Sequence, residues 1–181
     1  IDFIMSNLQN LTLIIVTYRT NHDILDDCIK SIDQNVKILI IENSDDSNFK
    51  EKYENKFNNV SVVLSHNNLG YGGGNNFGFK NIKTRYGLIS NPDVVYNSDF
   101  FKEIEKYLTP KIEFSIIGVS YDNEDNYLSY GSFDNKNNMI LKETNYKENN
   151  LKEVDWVVGC SMLVDTKKIT SSKLFDENIF L

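Results

Sequence analysis

The 181-residue sequence predicts an α/β fold with a mostly parallel sheet that carries helices on both faces. Over residues 11–120, short apolar runs rich in β-branched side chains alternate with stretches whose apolar residues recur at helical spacing. That alternation is typical of βαβ units, in which right-handed crossovers place helices on both faces of the sheet. The length is that of one domain.

The strands are predicted from apolar runs that are bounded by polar or turn-forming residues. Five of them are residues 11–16, 36–41, 60–64, 86–90 and 114–119, and 154–164 is predicted to be the last strand. Between residues 121 and 150 the sequence becomes polar and rich in asparagine, with short alternating pieces. This change predicts a small β-hairpin insertion and not a second domain.

Four helices are predicted between these strands. The first has Asn21 as its N-cap and apolar residues recurring between positions 24 and 32. The others are marked by Phe49, Tyr53 and Phe57, by residues 75–83, which open from a glycine-rich loop, and by residues 100–108, capped by Asn97 or Ser98.

Composition excludes several classes of function. With 19 Lys and Arg against 26 Asp and Glu, the net charge of −7 gives no general reason to bind nucleic acid. Two cysteines without a CxxC spacing exclude a disulfide framework and a zinc ribbon, and two histidines exclude a His-rich metal site. No apolar run is long enough to span a membrane, and the start does not resemble a signal peptide, so a cytoplasmic location is expected.

The unusual residues fall in loops that follow the predicted strands. These loops are Thr17–Thr20, Glu42–Ser47, His66–Gly78 and Asn91–Val94. Ligands of open α/β sheets bind beyond the carboxyl ends of the strands. We therefore expect the four loops to converge on one edge of the sheet and to form a ligand site there.

The third of these loops is rich in glycine, with four of the nine glycines of the chain within Gly70–Gly74. Glycine lets a backbone approach a ligand closely, and a helix that begins just after the loop would direct its free N–H groups at an anion. The spacing matches neither GxxxxGK[ST] nor GxGxxG. Flanking Asn68, Asn75 and Asn76 favour a ligand loop over the alternative, a glycine-rich turn that binds nothing.

Two carboxylates at strand ends are candidate ligand groups. Asp93, with Asn91 beside it, is placed to hold a hard divalent cation such as Mg²⁺ through oxygen, but an aspartate there also suits a turn or helix cap. Glu42 has the same ambiguity, because the residues after it suit an Asx turn. Near the last strand, Trp156 either stacks on a ligand or fills the core, and Cys160 is expected to be a small buried residue.

Five motifs, in order, resemble those of family-2 glycosyltransferases, specifically a rhamnosyltransferase-like branch of bacterial surface-polysaccharide assembly. They are LIIVTYR (13–19), IIENS (40–44), NLGYGGGNNFG (68–78), ISNPDV (89–94) and VGCSMLV (158–164). The resemblance implies a GT-A fold. It implies an N-terminal extension at 1–10, a nucleotide-sugar-binding half at 11–120 and, within the same domain, the start of an acceptor-binding half at 121–181.

The resemblance also implies an inverting transfer of a hexose or deoxyhexose from a UDP- or dTDP-sugar to a saccharide or lipid-linked acceptor, with Mg²⁺ or Mn²⁺ as cofactor. Asp93 would then bind the metal, and Trp156, Gly159 and Cys160 would lie on the acceptor side. The implied nucleotide-sugar residues are Thr17, Tyr18, Arg19, Glu42, Asn43, Asn68, Gly70, Tyr71, Gly72, Gly73, Asn75, Asn76 and Asn91. A lipid-linked acceptor would bring the protein to the inner face of the membrane.

Three positions depart from the pattern of the family: Glu42 replaces an aspartate, Arg19 an asparagine, and Asn91 the first carboxylate of the DxD metal motif. Residues 175–181 (FDENIFL) resemble the segment that leads into the acidic catalytic base, so the base is expected beyond Leu181 and the chain is expected to transfer sugar poorly. Asp155 is the remaining candidate base. The alternatives are a non-catalytic nucleotide-sugar-binding module and a sugar-phosphate nucleotidyltransferase.

Overall fold

A computed structural model describes residues 6–44, 46–120, 130–134, 139–141, 151–169 and 173–179, with the backbone alone for 139–141. Several expectations therefore fall partly outside the described residues. They concern the start of the extension (1–5), much of the insertion (121–129, 135–138 and 142–150) and the last two residues of the FDENIFL segment. Among the helices that the structure describes, none has the length and apolar character needed to cross a bilayer.

The core of the fold is a six-stranded sheet with the order β3-β2-β1-β4-β9-β5. Its strands are β1 (Leu11–Thr17), β2 (Lys37–Glu42), β3 (Val60–Leu64), β4 (Tyr86–Ser90), β5 (Ile116–Gly118) and β9 (Ser161–Asp165). The first four are parallel, and β9 runs antiparallel between β4 and β5. The predicted mostly parallel α/β sheet is therefore confirmed.

Apolar side chains are buried on both faces of this sheet. In β1, Leu13 and Ile15 belong to the larger cluster, whereas Ile14 packs with Leu39 and Ile41 of β2 on the opposite face. This two-sided burial explains why the strands are continuous apolar runs rather than alternating ones.

The helices are α1 (His22–Lys30), α2 (Ser47–Lys56), α3 (Gly70–Asn81) and α4 (Phe100–Ile104). Asn21 caps α1 as predicted, since its side chain accepts a hydrogen bond from the amide of Asp23 at 2.8 Å. The prediction for α4 was wrong in two respects. The α-helix ends at Ile104 and continues as a 3₁₀ turn over Glu105–Tyr107, and Asp99, whose side chain makes no capping bond, takes the N-cap position. The predicted cap Asn97 still accepts a hydrogen bond, from the amide of Asp99 at 3.2 Å.

The predicted last strand is divided in two, because its central residues turn between two sheets. β8 (Trp156–Val157) belongs to a separate three-stranded sheet with the order β7-β6-β8, and β9 belongs to the main sheet. β6 (Tyr130–Phe133) and β7 (Met139–Leu141) pair antiparallel, as expected for a hairpin insertion.

The glycine-rich sequence is helical, which corrects the prediction of a loop before a helix at residue 75. α3 begins at Gly70, whose φ of 65° marks the turn into the helix. Tight packing on the sheet explains why so poor a helix-forming sequence is helical: a Cβ on Gly74 would lie 2.6 Å from Val16 Cγ1, and one on Gly78 would lie 2.6 Å from Ile14 Cγ2.

We expect Gly78→Ala to destabilise the protein by about 1 kcal/mol. Alanine gains about 1 kcal/mol over glycine in a helix interior, but forcing a methyl group into a packed interface costs about 1–3 kcal/mol. Denaturant unfolding measures the net effect, and Lys80→Ala on the same helix serves as the control. A Gly78→Ala protein more stable than the wild type would show that the helix can move away from the sheet.

Candidate functional site

The carboxyl ends of the parallel strands meet at one edge, as the sequence predicted. Thr17 of β1 pairs in register with Glu42 of β2, which pairs with Leu64 of β3. Backbone hydrogen bonds also join the loops that follow these strands. The amide of Asn43 donates to the carbonyl of Thr17 at 2.8 Å, and the amide of Ser65 donates to the carbonyl of Glu42 at 3.1 Å.

Glu42 is buried and its carboxylate is fixed by neighbouring donors. The Thr17 hydroxyl donates to Oε2 at 2.6 Å, and the amide of Ser44 donates to Oε1 at 2.6 Å, with the Ser44 hydroxyl on the same oxygen. The turn after β2 is thus held by Glu42 itself and not by an Asx turn at Asn43, whose Oδ1 accepts no hydrogen bond from the described residues. The same contacts fix a carboxylate at this edge of the sheet.

The loop after β1 combines exposure with an uncommon backbone conformation. Arg19 has a φ of 51°, in the left-handed region that few residues other than glycine adopt. Its guanidinium lies 5.2 Å from the centroid of the Tyr18 ring, and Tyr18 is 45% exposed. A cation and an aromatic face are thus presented together to solvent at this edge.

Two buried asparagines, one directly after β2 and one in α3, have unused acceptors. Asn43 donates from Nδ2 to the carbonyl of Gly70 at 3.3 Å, and Asn75 donates to that of Tyr71 at 3.0 Å. The Oδ1 atom of each accepts no hydrogen bond within the part of the chain that the structure describes. Asn68 has a local role, because its Oδ1 accepts from the amide of Gly70 at 3.0 Å.

The NPD sequence after β4 lies against the turn between β8 and β9. The amide of Asn91 donates to the carbonyl of Cys160 at 2.8 Å, and the Cys28 thiol donates to the carbonyl of Asn91 at 3.8 Å. Desolvation raises the pKa of the Cys160 thiol, which keeps it protonated near neutral pH. Cys160 is half-buried, less enclosed than expected.

Asp93 is exposed, and its carboxylate accepts no hydrogen bond from any described residue, so the structure contains no cap at this position. Within the same described ranges, no group of three His, Cys, Asp or Glu side chains is placed to hold a metal ion. A single free carboxylate suits Mg²⁺ or Mn²⁺ bound mainly through phosphate oxygens and water.

Tyr71 joins α3 to the turn after β8. Its hydroxyl donates to the carbonyl of Gly159, and its ring packs edge-on against Phe175 at 5.4 Å between centroids. Desolvation raises the pKa of the Tyr71 hydroxyl, so it remains a donor. Sequence reasoning missed Phe175, and no local signal identifies it because the contact spans a large separation along the chain.

One predicted acceptor-side residue, Trp156, lies on the small sheet, and the candidate base Asp155 comes directly before it. Trp156 of β8 is half-buried, and its indole N–H has no partner within the described residues. Asp155 is exposed, and its Oδ2 accepts from the amide of Phe133 of β6 at 2.8 Å. This hydrogen bond links β6 to the residue before β8. It agrees with the alternative in which Asp155 is an exposed residue at the start of a strand.

Comparisons with known proteins bear on the family and the fold of the chain. The family model described as Glycosyl transferase family 2 matches residues 12–166. The low-salt glycan biosynthesis hexosyltransferase Agl10 of Haloferax volcanii is 24% identical over 183 residues, which cover 96% of this chain and 58% of that protein.

Two solved structures align with this chain. The mannosyltransferase PcManGT from Pyrobaculum calidifontis, in complex with GDP-Man and Mn²⁺, aligns with a TM-score of 0.57 at 9% identity over 86% of this chain and 44% of that one. TarS 1–349 of S. aureus aligns with a TM-score of 0.46 at 17% identity over 67% and 41% of the two chains.

The chain thus spans little more than half the length of the hexosyltransferase and less than half that of the mannosyltransferase. The GT-A architecture expected from the sequence is confirmed by the sheet topology together with the likeness to the mannosyltransferase. Because the family model covers most of the sequence, this chain belongs to glycosyl transferase family 2.

Proposed function

We propose that this chain is the donor-binding part of a glycosyltransferase that transfers a sugar from a nucleoside-diphosphate sugar to a saccharide or lipid-linked acceptor. The observation that carries the proposal is the convergence of Arg19, Glu42 and Asp93 at the carboxyl edge of a family-2 sheet. A donor of this type needs a place for its base, its diphosphate and its sugar, and this edge offers groups suited to each.

The base and ribose lie, in this proposal, against the loops after β1 and β2. Tyr18 offers an exposed ring for stacking. Glu42 and the unpaired Oδ1 atoms of Asn43 and Asn75 offer fixed acceptors, which suit the N–H groups of a base or the hydroxyls of a sugar. We assign the donor to Thr17, Tyr18, Arg19, Glu42, Asn43, Asn68, Gly70, Tyr71, Asn75 and Asn91.

Binding of the diphosphate requires positive charge, and this acidic chain has few groups at the site that can supply it. Arg19 supplies one cation at this edge, and Asp93 is the residue proposed to hold Mg²⁺ or Mn²⁺. A divalent ion, when bound, stabilises the negative charge that the departing diphosphate gains. Asp93 contributes by fixing that charge at the end of β4, next to Asn91.

Transfer with inversion needs a carboxylate that takes the proton of the acceptor hydroxyl, at about 2.6–3.2 Å from it. Trp156, Gly159 and Cys160 form the proposed acceptor side, and Asp155 is the candidate base among the described residues. Its bond to the amide of Phe133 leaves Oδ1 available, although it also gives Asp155 a structural role.

The finer assignment follows the motifs of the sequence. We propose a rhamnosyltransferase-like enzyme of bacterial surface-polysaccharide assembly that uses a UDP- or dTDP-activated hexose or deoxyhexose. Cys28 and Cys160 are free thiols, in agreement with a reducing, cytoplasmic location. A lipid-linked acceptor would add peripheral contact with the inner face of the membrane.

Titration calorimetry with UDP, dTDP and GDP tests the proposal. We expect at least one of them to bind, and to bind about tenfold or more tightly with Mn²⁺ or Mg²⁺ than with EDTA, because the cation would offset the charge between the diphosphate and an acidic protein. The corresponding monophosphate is the control, since without a β-phosphate its binding should gain little from metal. A folded protein that binds none of the three would contradict the proposal.

A further inference from the structure

Residues 173–179, here named the C-terminal segment, lie on the first turns of α3. The segment contains two carboxylates, Asp176 and Glu177, which follow Phe175. The segment is attached to α3 mainly through Asn76, a residue of this helix that is 1% exposed.

The carboxamide of Asn76 makes four hydrogen bonds, all of them to the C-terminal segment. Its Oδ1 accepts from the amides of Leu174 at 2.8 Å and Phe175 at 2.9 Å. Its Nδ2 donates to the carbonyl of Phe175 at 2.9 Å and to Oε1 of Glu177 at 3.0 Å. Two donors and two acceptor sites are the full capacity of an asparagine side chain, so no hydrogen bond remains for a ligand.

Two glycines of the first turns of α3 also face the segment. A Cβ on Gly72 would lie 3.1 Å from Phe175 Cβ, and one on Gly73 would lie 4.0 Å from Glu177 Cγ. Phe175 also packs edge-on against Tyr71. The distance at Gly72 is too short for an unstrained contact, so the missing side chain of Gly72 makes room for Phe175, whereas Gly73 lies at ordinary contact distance from Glu177.

We propose that Gly72, Gly73 and Asn76 form a docking surface for the C-terminal segment, and that Asn76 is a positioning residue that fixes the acidic segment at the acceptor side of the site. This role replaces the contact with the donor that the sequence motif implies for these three residues. The mechanistic consequence rests on the proposed function, whereas the docking itself does not.

A short series of contacts connects the docked segment to the candidate metal residue. Phe175 packs on Tyr71, whose hydroxyl donates to the carbonyl of Gly159. The next residue, Cys160, accepts from the amide of Asn91, two positions before Asp93. These contacts place the segment beside the turn that carries Gly159 and Cys160, on the proposed acceptor side of the site.

The carboxylates of the segment are engaged in holding its shape. Glu177 accepts from Lys173 at 2.5 Å and from Asn76, and these two hydrogen bonds lower the pKa of Glu177. Asp176 accepts from the amide and the side chain of Asn178 at 2.9 and 2.8 Å. Both groups therefore order the segment, which is the contribution expected of residues that position a site.

Hydrogen exchange of the full chain tests the docking. In Asn76→Ala the amides of Leu174 and Phe175 should lose protection about tenfold or more, because both donate to Asn76. Asn81→Ala is the matched control: its side chain bonds the carbonyl of Phe77 on the same helix and should leave the segment protected. A wild-type segment without protection, or one unaffected by Asn76→Ala, would overturn the proposal.

A charge-rescue experiment tests the same contact without truncating the side chain of Asn76. Asn76→Asp keeps an acceptor for both amides but places a carboxylate beside Glu177 and the carbonyl of Phe175, so protection should fall. Adding Glu177→Gln should restore most of it, because a glutamine amide can donate to the new carboxylate. Failure of the double variant to recover, with the melting temperature unchanged, would overturn the assignment of Asn76.

Nucleotide affinity and donor turnover separate positioning from donor binding. UDP, dTDP and GDP are titrated with Mn²⁺ into Asn76→Ala and Phe175→Ala, and nucleotide release from UDP-glucose, dTDP-rhamnose and GDP-mannose is measured. We expect Kd to change less than twofold and kcat of any measurable turnover to fall tenfold or more. A tenfold change in Kd would overturn the proposal.

Absence of nucleotide binding by the wild type would contradict the proposed function only. The exchange experiments would then decide whether the segment docks on Asn76.

Discussion

Asp93→Ala should reduce metal-dependent binding of nucleoside diphosphate about 100-fold or more. Asp93 is the exposed carboxylate at the end of β4 and accepts no hydrogen bond from the residues that the structure describes. Loss of groups that merely support metal ligands costs about 10–100-fold in metal affinity, so loss of the carboxylate that contacts the ion should cost at least as much. Titration with and without Mn²⁺ measures the change.

Stability distinguishes this role from that of a cap. Since Asp93 caps nothing in the structure, the free energy of unfolding should change by less than about 0.5 kcal/mol, whereas loss of a cap would cost about 0.5–2 kcal/mol. Asp99→Ala is the matched control, because Asp99 is also exposed and its side chain makes no capping bond. Unchanged nucleotide affinity together with a loss of stability would assign Asp93 to the fold instead.

The strands of the parallel sheet could be predicted because their signal is local. A strand covered on both faces must be apolar at consecutive positions, and Leu11–Thr17 and Lys37–Glu42 show this directly. The edge strand Ile116–Gly118 is shorter than its apolar run, because only three of its residues find a partner in β9.

The glycine-rich helix could not be predicted from the same kind of signal. Helix propensity opposes a helix through Gly70–Gly74 by about 1 kcal/mol per glycine. What stabilises it is the close approach of Gly74 to Val16 and of Gly78 to Ile14, which belong to β1 and are distant in sequence. Tertiary contact therefore overrides a local preference that pointed to a loop.

The candidate site, too, could be predicted only in part from the sequence. Residues at strand ends, such as Glu42 and Asp93, could be brought together from topology alone, because parallel strands place their carboxyl ends at one edge. The docking of the C-terminal segment on Asn76 could not, since hydrogen bonds between residues so far apart along the chain leave no periodic trace in the sequence.

The ion pair between Arg85 and Asp165 was likewise not singled out by the sequence. Asp165 is fully buried at the end of β9 and pairs in register with Tyr86 of β4. Arg85 Nη2 donates to its Oδ2 at 2.7 Å, Arg85 Nε lies 3.1 and 3.2 Å from its two oxygens, and the amide of Lys167 donates to Oδ1 at 3.1 Å. Only the antiparallel placement of β9 brings these groups together.

Asp165→Ala should lower the free energy of unfolding by about 3 kcal/mol, near the lower end of the cost of breaking a buried ion pair, because Arg85 keeps some contact with water. Burial alone would raise the pKa of Asp165, but the hydrogen bonds from Arg85 and from the amide of Lys167 lower it below its ordinary value. The stabilisation is therefore fully present above the pKa of an unfolded aspartate, about 3.9, and is lost as pH falls through the lowered value.

Chemical denaturation of wild type and variant from pH 7 to pH 3 measures both effects. The difference in unfolding free energy should be constant above about pH 5 and should shrink at lower pH, where the aspartate of the unfolded chain binds a proton that the folded carboxylate, with its lowered pKa, does not. Lys168→Ala is the control, since Lys168 pairs with exposed Glu113 at 3.4 Å and such surface pairs contribute about 0–1 kcal/mol. A loss with Asp165→Ala no larger than that of the control, or one that grows towards acid pH, would show that this pair does not hold β9 against β4.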